Sequence, residues 1–254
     1  MADSNAVLHE VFLDVFLALP RQGPGNRACT LQALDACVGL PDRPRVLDLG
    51  CGTGAQTLDL ANAIDARILA LDLSPRSVEQ LRRLIASGGL GRNVLPIVGD
   101  MARIPAQADA FDLIWSEGAL YSIGLPDALE TCARHTRPGG YLAFTDAVWR
   151  VADPSSEARA LFAVDSPGMG TPDETLALLG GAGFEPVEHF PLPHEAWWEG
   201  FYGPMNERIE ELRRQHRGDG AVQLLLDELS REALVHRDHG SEYGYEFYVA
   251  RRGG

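Results

Sequence analysis

Residues 46–54 read Val-Leu-Asp-Leu-Gly-Cys-Gly-Thr-Gly, and no other stretch constrains the fold as tightly. A short apolar run ends with an acid and a leucine, glycine follows at alternate positions, and helix-forming residues continue from Ala55 to Ala63. This is the pattern of a buried strand, a tight turn and a helix start. Glycine adopts dihedrals that other residues resist, and it removes side chains where a ligand approaches the main chain. The helix N-terminus behind the turn offers unpaired N–H groups and the positive end of its dipole. A polar, partly anionic ligand at this turn is therefore expected.

The pattern then repeats. Strand and helix alternate over roughly 45–49, 54–64, 67–72, 75–87, 93–98, 111–115, 125–135 and 140–148. Ser74-Pro75 suits a helix start, with serine as cap and proline in the first turn, and Gly88-Gly89 ends that helix. Such alternation implies a parallel sheet covered on both faces, with the ligand at the carboxyl ends of the strands. Asp72, Asp100, Ser116 and Glu117 all fall at those ends. A helix near 172–181, a strand near 184–190 and a last strand at 243–250 follow. The segment 191–242 is far longer than an ordinary connection and carries helical patterns near 204–217 and 220–235. It is expected to cap the core and shape a substrate pocket. Ahead of the first strand, helical patterns at 7–19 and 30–38 flank the break Arg21-Gln22-Gly23-Pro24-Gly25-Asn26 and are placed to cover a ligand.

Two ligands fit the glycine turn. Gly50-x-Gly52-x-x-Ala55 matches the dinucleotide fingerprint, which makes an NAD-dependent oxidoreductase one alternative. Asp48-x-Gly50-x-Gly52-x-Gly54 resembles instead the first motif of class I S-adenosylmethionine (SAM) methyltransferases. Four further segments resemble that family in order: the strand ending in Asp72, the strand ending Gly99-Asp100-Met101, the run Phe111 to Tyr121, and Arg137-Pro138-Gly139-Gly140 entering a fifth strand. Together they cover about residues 45–148. Arg21 to Gly25 and Trp115-Ser116-Glu117-Gly118-Ala119-Leu120-Tyr121-Ser122-Ile123-Gly124 narrow the resemblance to bacterial small-molecule methyltransferases, distantly similar to the C-methyltransferases of quinone biosynthesis.

The resemblance implies a doubly wound α/β fold. Its sheet is seven-stranded, mostly parallel and Rossmann-like, with the last strand antiparallel between the two before it, plus a helical cap. It implies one methyltransferase domain over 1–254: N-terminal cofactor-covering helices at 1–40, a core sheet at 45–190 and 243–250, and the cap at 191–242. SAM is the implied cofactor and S-adenosyl-L-homocysteine (SAH) the product. The implied reaction is in-line transfer of methyl to a small molecule, with a catalytically silent SAM-binding regulatory module as a further alternative. Asp72 and Leu73 are assigned to the ribose side. Asp100 and Met101 are assigned to adenine, or else to a helix cap and ordinary packing. Gly50, Cys51, Gly52, Gly54 and Ser116 complete the cofactor wall, with Cys51 as a small packing residue in the loop. Asp48 either reaches the cofactor or is a buried acid satisfied by backbone N–H groups. Arg21 and Gly25 close over the methionine end, or simply form a loop between helices.

Three residues are catalytic candidates. Glu117 would take a proton or hold a cationic amine, against a bland role capping the next helix. Tyr121 would donate to a substrate oxygen. His194 titrates near neutrality and would serve as base, against a surface role. Trp197 and Trp198, with Phe201 and Tyr202, would stack on a substrate or fasten the cap to the core. His236 and His239 are spaced to share a helix face but lack a third ligand, so no metal is expected. The net charge of −14 argues against nucleic acid or an anionic membrane as partner. Four cysteines without a CxxC pair indicate neither zinc nor an iron–sulfur cluster. The apolar run Val11 to Leu19 contains Asp14 and has no basic segment before it, so no secretory leader is expected and a cytoplasmic location is. Acceptor atom and oligomeric state are not legible.

Overall fold

A computed structural model describes residues 2–254. Seven strands, β1 (Arg45–Leu49), β2 (Arg67–Asp72), β3 (Val94–Val98), β4 (Phe111–Glu117), β5 (Thr136–Trp149), β6 (Phe184–Pro191) and β7 (Tyr243–Arg252), form one sheet in the order β3-β2-β1-β4-β5-β7-β6. The first five are parallel; β7 runs antiparallel to both β5 and β6. This is the expected topology, the last strand between its two predecessors. Strand order reverses between β1 and β4, and a crevice opens outside their carboxyl ends at such a switch point.

The helices are α1 (Ala2–Leu17), α2 (Arg27–Asp35), α3 (Ala55–Ala63), α4 (Pro75–Gly88), α5 (Leu125–His135), α6 (Ser156–Phe162), α7 (Pro172–Gly181), α8 (Glu195–Trp197), α9 (Gly203–Gln215) and α10 (Gly220–His239). A single π-helical stretch, Trp198–Tyr202, joins α8 to α9. Their ends follow local chemistry. Ser74 Oγ accepts the Ser77 N–H at 3.2 Å and starts α4. At α7, Thr171 and Glu174 form a reciprocal capping box. Asn26 Oδ1 accepts the Cys29 N–H at 2.9 Å, so α2 begins at Arg27 and not at 30. The fifth strand also begins earlier than expected, at Thr136. The pairing of β4 with β5 shifts register between Phe111 and Leu113. Asp112 secures this irregular edge by pairing with Arg137 at 2.5 Å and accepting the Arg45 N–H at 2.6 Å. Helix α6 and the segment 195–202 were not foreseen; both are too short for a periodic apolar face to show.

Apolar side chains fill both faces of the sheet. Leu60, Leu81, Trp115 and Phe247 lie in one layer, and Leu129, Phe144, Leu179 and Tyr248 in the other. A third cluster unites Val11 and Val15 of α1 with Trp197, Tyr202, Ile209, Leu226 and Tyr243. The helices between β6 and β7 thus share their apolar core with the first helix of the chain.

Candidate functional site: a cleft at the carboxyl ends of β1, β2 and β4

The glycine turn is fastened to the neighbouring strand. The N–H groups of Gly50 and Cys51 both donate to Leu71 O, at 2.8 and 3.1 Å, and the Gly54 N–H donates to Cys51 O at 2.9 Å. Gly50 and Gly52 have φ of 68° and 53°, the left-handed region that favours glycine. Added side-chain carbons would also collide there, with Ala119 at Gly50 and with the Gln22 amide at Gly52. Beneath the turn, Asp48 is buried and accepts from the Thr57 hydroxyl and, at 3.3 Å, from the Gln56 amide. Burial pushes its carboxyl up to about 7. Its partners are side chains of α3, so it ties strand to helix from below and does not reach the cleft.

The cleft above encloses about 290 Å³. One wall is the turn, another the β2 end at Asp72 and Leu73, a third Met101 with the β4 end from Glu117 to Ser122, and the last Arg21 to Pro24. Asp72 bridges two backbone segments: Oδ2 accepts the Gly52 N–H and Oδ1 the Ser74 N–H, both at 2.8 Å. An ionised carboxylate has roughly four acceptor sites, so both oxygens keep capacity for a ligand's hydroxyls. No side chain caps α3 at Gly54, and Ala55 and Gln56 of its first turn lie on the cleft wall.

Opposite Asp72 lies a buried ionic knot. Arg21 Nη1 donates to Glu117 Oε2 at 2.5 Å, and its Nη2 donates to Asp59 at 2.9 Å. Glu117 Oε1 accepts from the Thr30 hydroxyl at 2.8 Å and from Trp115 Nε1 at 2.9 Å. Gly25 presses behind this knot, where an added Cβ would stand 3.1 Å from Glu117 Oε2. Its N–H donates to Ala196 O at 2.9 Å, tying the N-terminal segment to α8. Gln22 Oε1 accepts the Thr53 N–H at 2.9 Å. Thr30 and Asp59 were not singled out from sequence, because nothing in a run of helix residues marks a partner so far along the chain, and Trp115 entered only as part of the motif after the fourth strand.

The cleft therefore brings together Arg21, Gly50, Cys51, Gly52, Gly54, Asp72, Leu73, Met101, Glu117 and Tyr121. Asp100, Ser116, His194, Trp197 and Trp198 do not line the cleft. Ser116 is wholly buried and donates to Leu49 O at 2.9 Å, because strand alternation turns it away from the face Glu117 uses. Asp100 is exposed and accepts the Ala102 N–H at 2.8 Å, capping the short 3₁₀ turn that presents Met101. His194, Trp197 and Trp198 gather around His236. Trp197 stacks on the His236 ring at 4.1 Å, and burial drives that imidazole down to about 4. Trp197 also lies 5.3 Å from Tyr245, whose ring packs beside Gly118 on the cleft wall. The Tyr121 phenol is raised above its ordinary pKa, first by partial burial and then by the negative charge of Asp165, Glu232 and Asp146.

Residues 46–140 match a family described as a methyltransferase domain. The chain is 27% identical over 202 residues to sarcosine/dimethylglycine N-methyltransferase of Halorhodospira halochloris, covering 79% of this chain and 71% of that one. It is 29% identical over 184 residues to 27-O-demethylrifamycin SV methyltransferase of Amycolatopsis mediterranei, covering 67% and 64%. A SAM-dependent methyltransferase of Geobacter sulfurreducens solved with SAH shares the fold with a TM-score of 0.82, at 22% identity over 96% of this chain and 98% of that one. The matched domain and these relatives support a class I SAM-dependent methyltransferase of the small-molecule type. Its cofactor is SAM and its reaction methyl transfer, which sets aside the nicotinamide reading of the glycine turn. Among the described residues no helix is long and apolar enough to cross a membrane, and no cluster of metal-ligating side chains occurs.

Proposed function

We propose that the cleft between the glycine turn and the Arg21–Glu117 pair is the SAM site, and that a small acceptor enters it on the Tyr121 and Tyr245 side. The observation that carries this reading is Asp72, which lines the cleft, is fixed by two backbone N–H groups and still has acceptor capacity for ribose hydroxyls. Met101 and Leu73 supply apolar surface for a flat base. Arg21 and Glu117 sit side by side at the other end of the cleft, a charge-balanced pair suited to a zwitterionic amino-acid group. When bound, SAM supplies an electrophilic methyl carbon on a sulfonium leaving group. The chain has to align the acceptor and exclude water, and orientation alone can lower such barriers by about 7–11 kcal/mol.

Within this site we assign Glu117 to holding the N-terminal segment across the cleft. Its carboxylate already accepts three hydrogen bonds, which disfavours a role in proton transfer. Tyr121, protonated and on the wall, is the donor to the acceptor molecule. His194, Trp197 and Trp198 are assigned to packing the helices of residues 195–239 against the core, which leaves Tyr245 as the aromatic neighbour of the acceptor. Residues 1–254 act as one domain, with those helices as its cap. The charge of −14 supports a small acceptor over nucleic acid. Four free, buried thiols support a reducing, cytoplasmic setting.

Titrating Asp72→Asn with SAH tests the central assignment. Loss of a charge-assisted hydrogen bond of about 1.5–3 kcal/mol corresponds to roughly 10–100-fold weaker binding. Parent-like SAH affinity in a folded Asp72→Asn protein would remove Asp72 from the site.

A further inference from the structure

A second cavity is larger than the cofactor cleft. It encloses about 580 Å³ at the opposite end of the sheet, where β1, β2 and β4 begin and the loop 105–110 passes. Its rim carries Arg45, Arg67 and Arg92. Arg45 and Arg67 are direct partners in the parallel register of β1 with β2, so two guanidinium groups leave the same face of adjacent strands. Like charges so placed destabilise a sheet unless an anion lies between them.

Among the described residues no carboxylate fills that role. Asp109 on the cavity wall pairs with Arg252, Asp112 pairs with Arg137, and Asp65 pairs with Arg43 at 3.5 Å. Among the described residues, Arg45, Arg67 and Arg92 are left without any salt-bridge partner, in a chain with 36 acids to 22 bases. The cavity is also partly apolar. Leu95 is 63% exposed beside it, and the Arg45 guanidinium lies 5.7 Å from the centre of the Phe111 ring. The volume is in the range of small-molecule sites, which run from about 300 to 1,000 Å³.

We propose that this cavity is a second ligand site, for a small organic oxyanion that carries a compact apolar group. Its phosphate or carboxylate sits between Arg45 and Arg67 with Arg92 at the rim, and its apolar part rests against Leu95 and Phe111. The site is independent of the cofactor cleft, which lies beyond the far ends of the same strands, and it needs none of the residues assigned there.

Calorimetric titration of the full chain with phenyl phosphate, benzoate, inorganic phosphate and phenol, with and without saturating SAH, tests the proposal. Phenyl phosphate or benzoate should bind, and which binds tighter identifies the oxyanion. Inorganic phosphate and phenol should bind at least tenfold more weakly than the better of the two. Affinity should be the same with SAH present and should fall as salt rises. The double variant Arg45→Gln/Arg67→Gln should lose at least tenfold in affinity, and Arg92→Gln less. Both arginines are exposed and repel one another, so the ligand-free double variant should melt no lower than the parent. No binding of either oxyanion would overturn the site, as would binding unchanged in the double variant. Displacement by SAH would place the ligand in the cofactor cleft and overturn it too. Inorganic phosphate binding as tightly as phenyl phosphate would overturn the apolar half of the proposal.

Discussion

Burial acts on Asp48 and Asp146 alike, pushing each carboxyl from an ordinary 3.8 up to about 7. A raised folded-state pKa contributes stability that is complete below the unfolded value and is lost as pH rises through the folded one. On account of these two groups the protein loses stability between about pH 4 and 7. His236 works in the opposite sense over nearly the same window: its pKa falls from 6.5 to about 4, so its contribution is complete above the unfolded value and is lost on acidification. Asp146→Asn removes one of the two falling contributions. Its melting temperature should therefore fall less with rising pH from 4 to 7 than the parent's, and an identical pH profile would contradict the buried carboxyl. The Arg21–Glu117 pair gives a second residue-scale expectation. The two side chains are 10% and 5% exposed, so removing one partner leaves a nearly buried charge. Arg21→Ala should cost roughly 3–5 kcal/mol of stability in denaturant unfolding. Glu117→Gln should cost less, because an amide oxygen still accepts from Thr30 and Trp115.

Among the elements, the glycine turn and helix α7 make a useful contrast. Gly52→Ala introduces a side chain at positive φ against Gln22, whose amide oxygen holds the Thr53 N–H. It should weaken SAH binding at least tenfold, because the turn and the N-terminal segment move together. Thr171→Ala removes the capping box of α7, which packs against β6 away from the cleft. It should cost about 1 kcal/mol of stability and leave SAH affinity unchanged. Strands and long helices were legible in the sequence because apolar runs and periodic faces extend over many residues, as in β1, β2 and α5. Ends were less legible where one side chain moved them. Asn26 starts α2 early, and the Asp112–Arg137 pair carries β5 back to Thr136. The short α6 and the π turn at 198–202 offer too few residues for a pattern.

Across the whole molecule, the half of the site built from strand ends was readable because the parallel sheet places those ends together. Asp72, Met101 and the glycine turn needed only the order of the strands. The other half depends on contacts that no local pattern records. Arg21 reaches Glu117 across 96 residues of chain, and Trp197 finds His236 by the folding of α10 back over the core. Ser116 is turned inward by a single step of strand alternation, and Asp100 takes up the helix-cap alternative through a backbone N–H two residues on. The same long-range folding gathers Arg45, Arg67 and Arg92 at the end of the sheet remote from the cleft. The most direct test of the account is calorimetric titration of the purified full chain with SAH, with NAD in a parallel cell. Binding of SAH and none of NAD, with the SAH affinity reduced in Asp72→Asn, is the predicted result. Binding of NAD alone, or no binding of SAH, would contradict it.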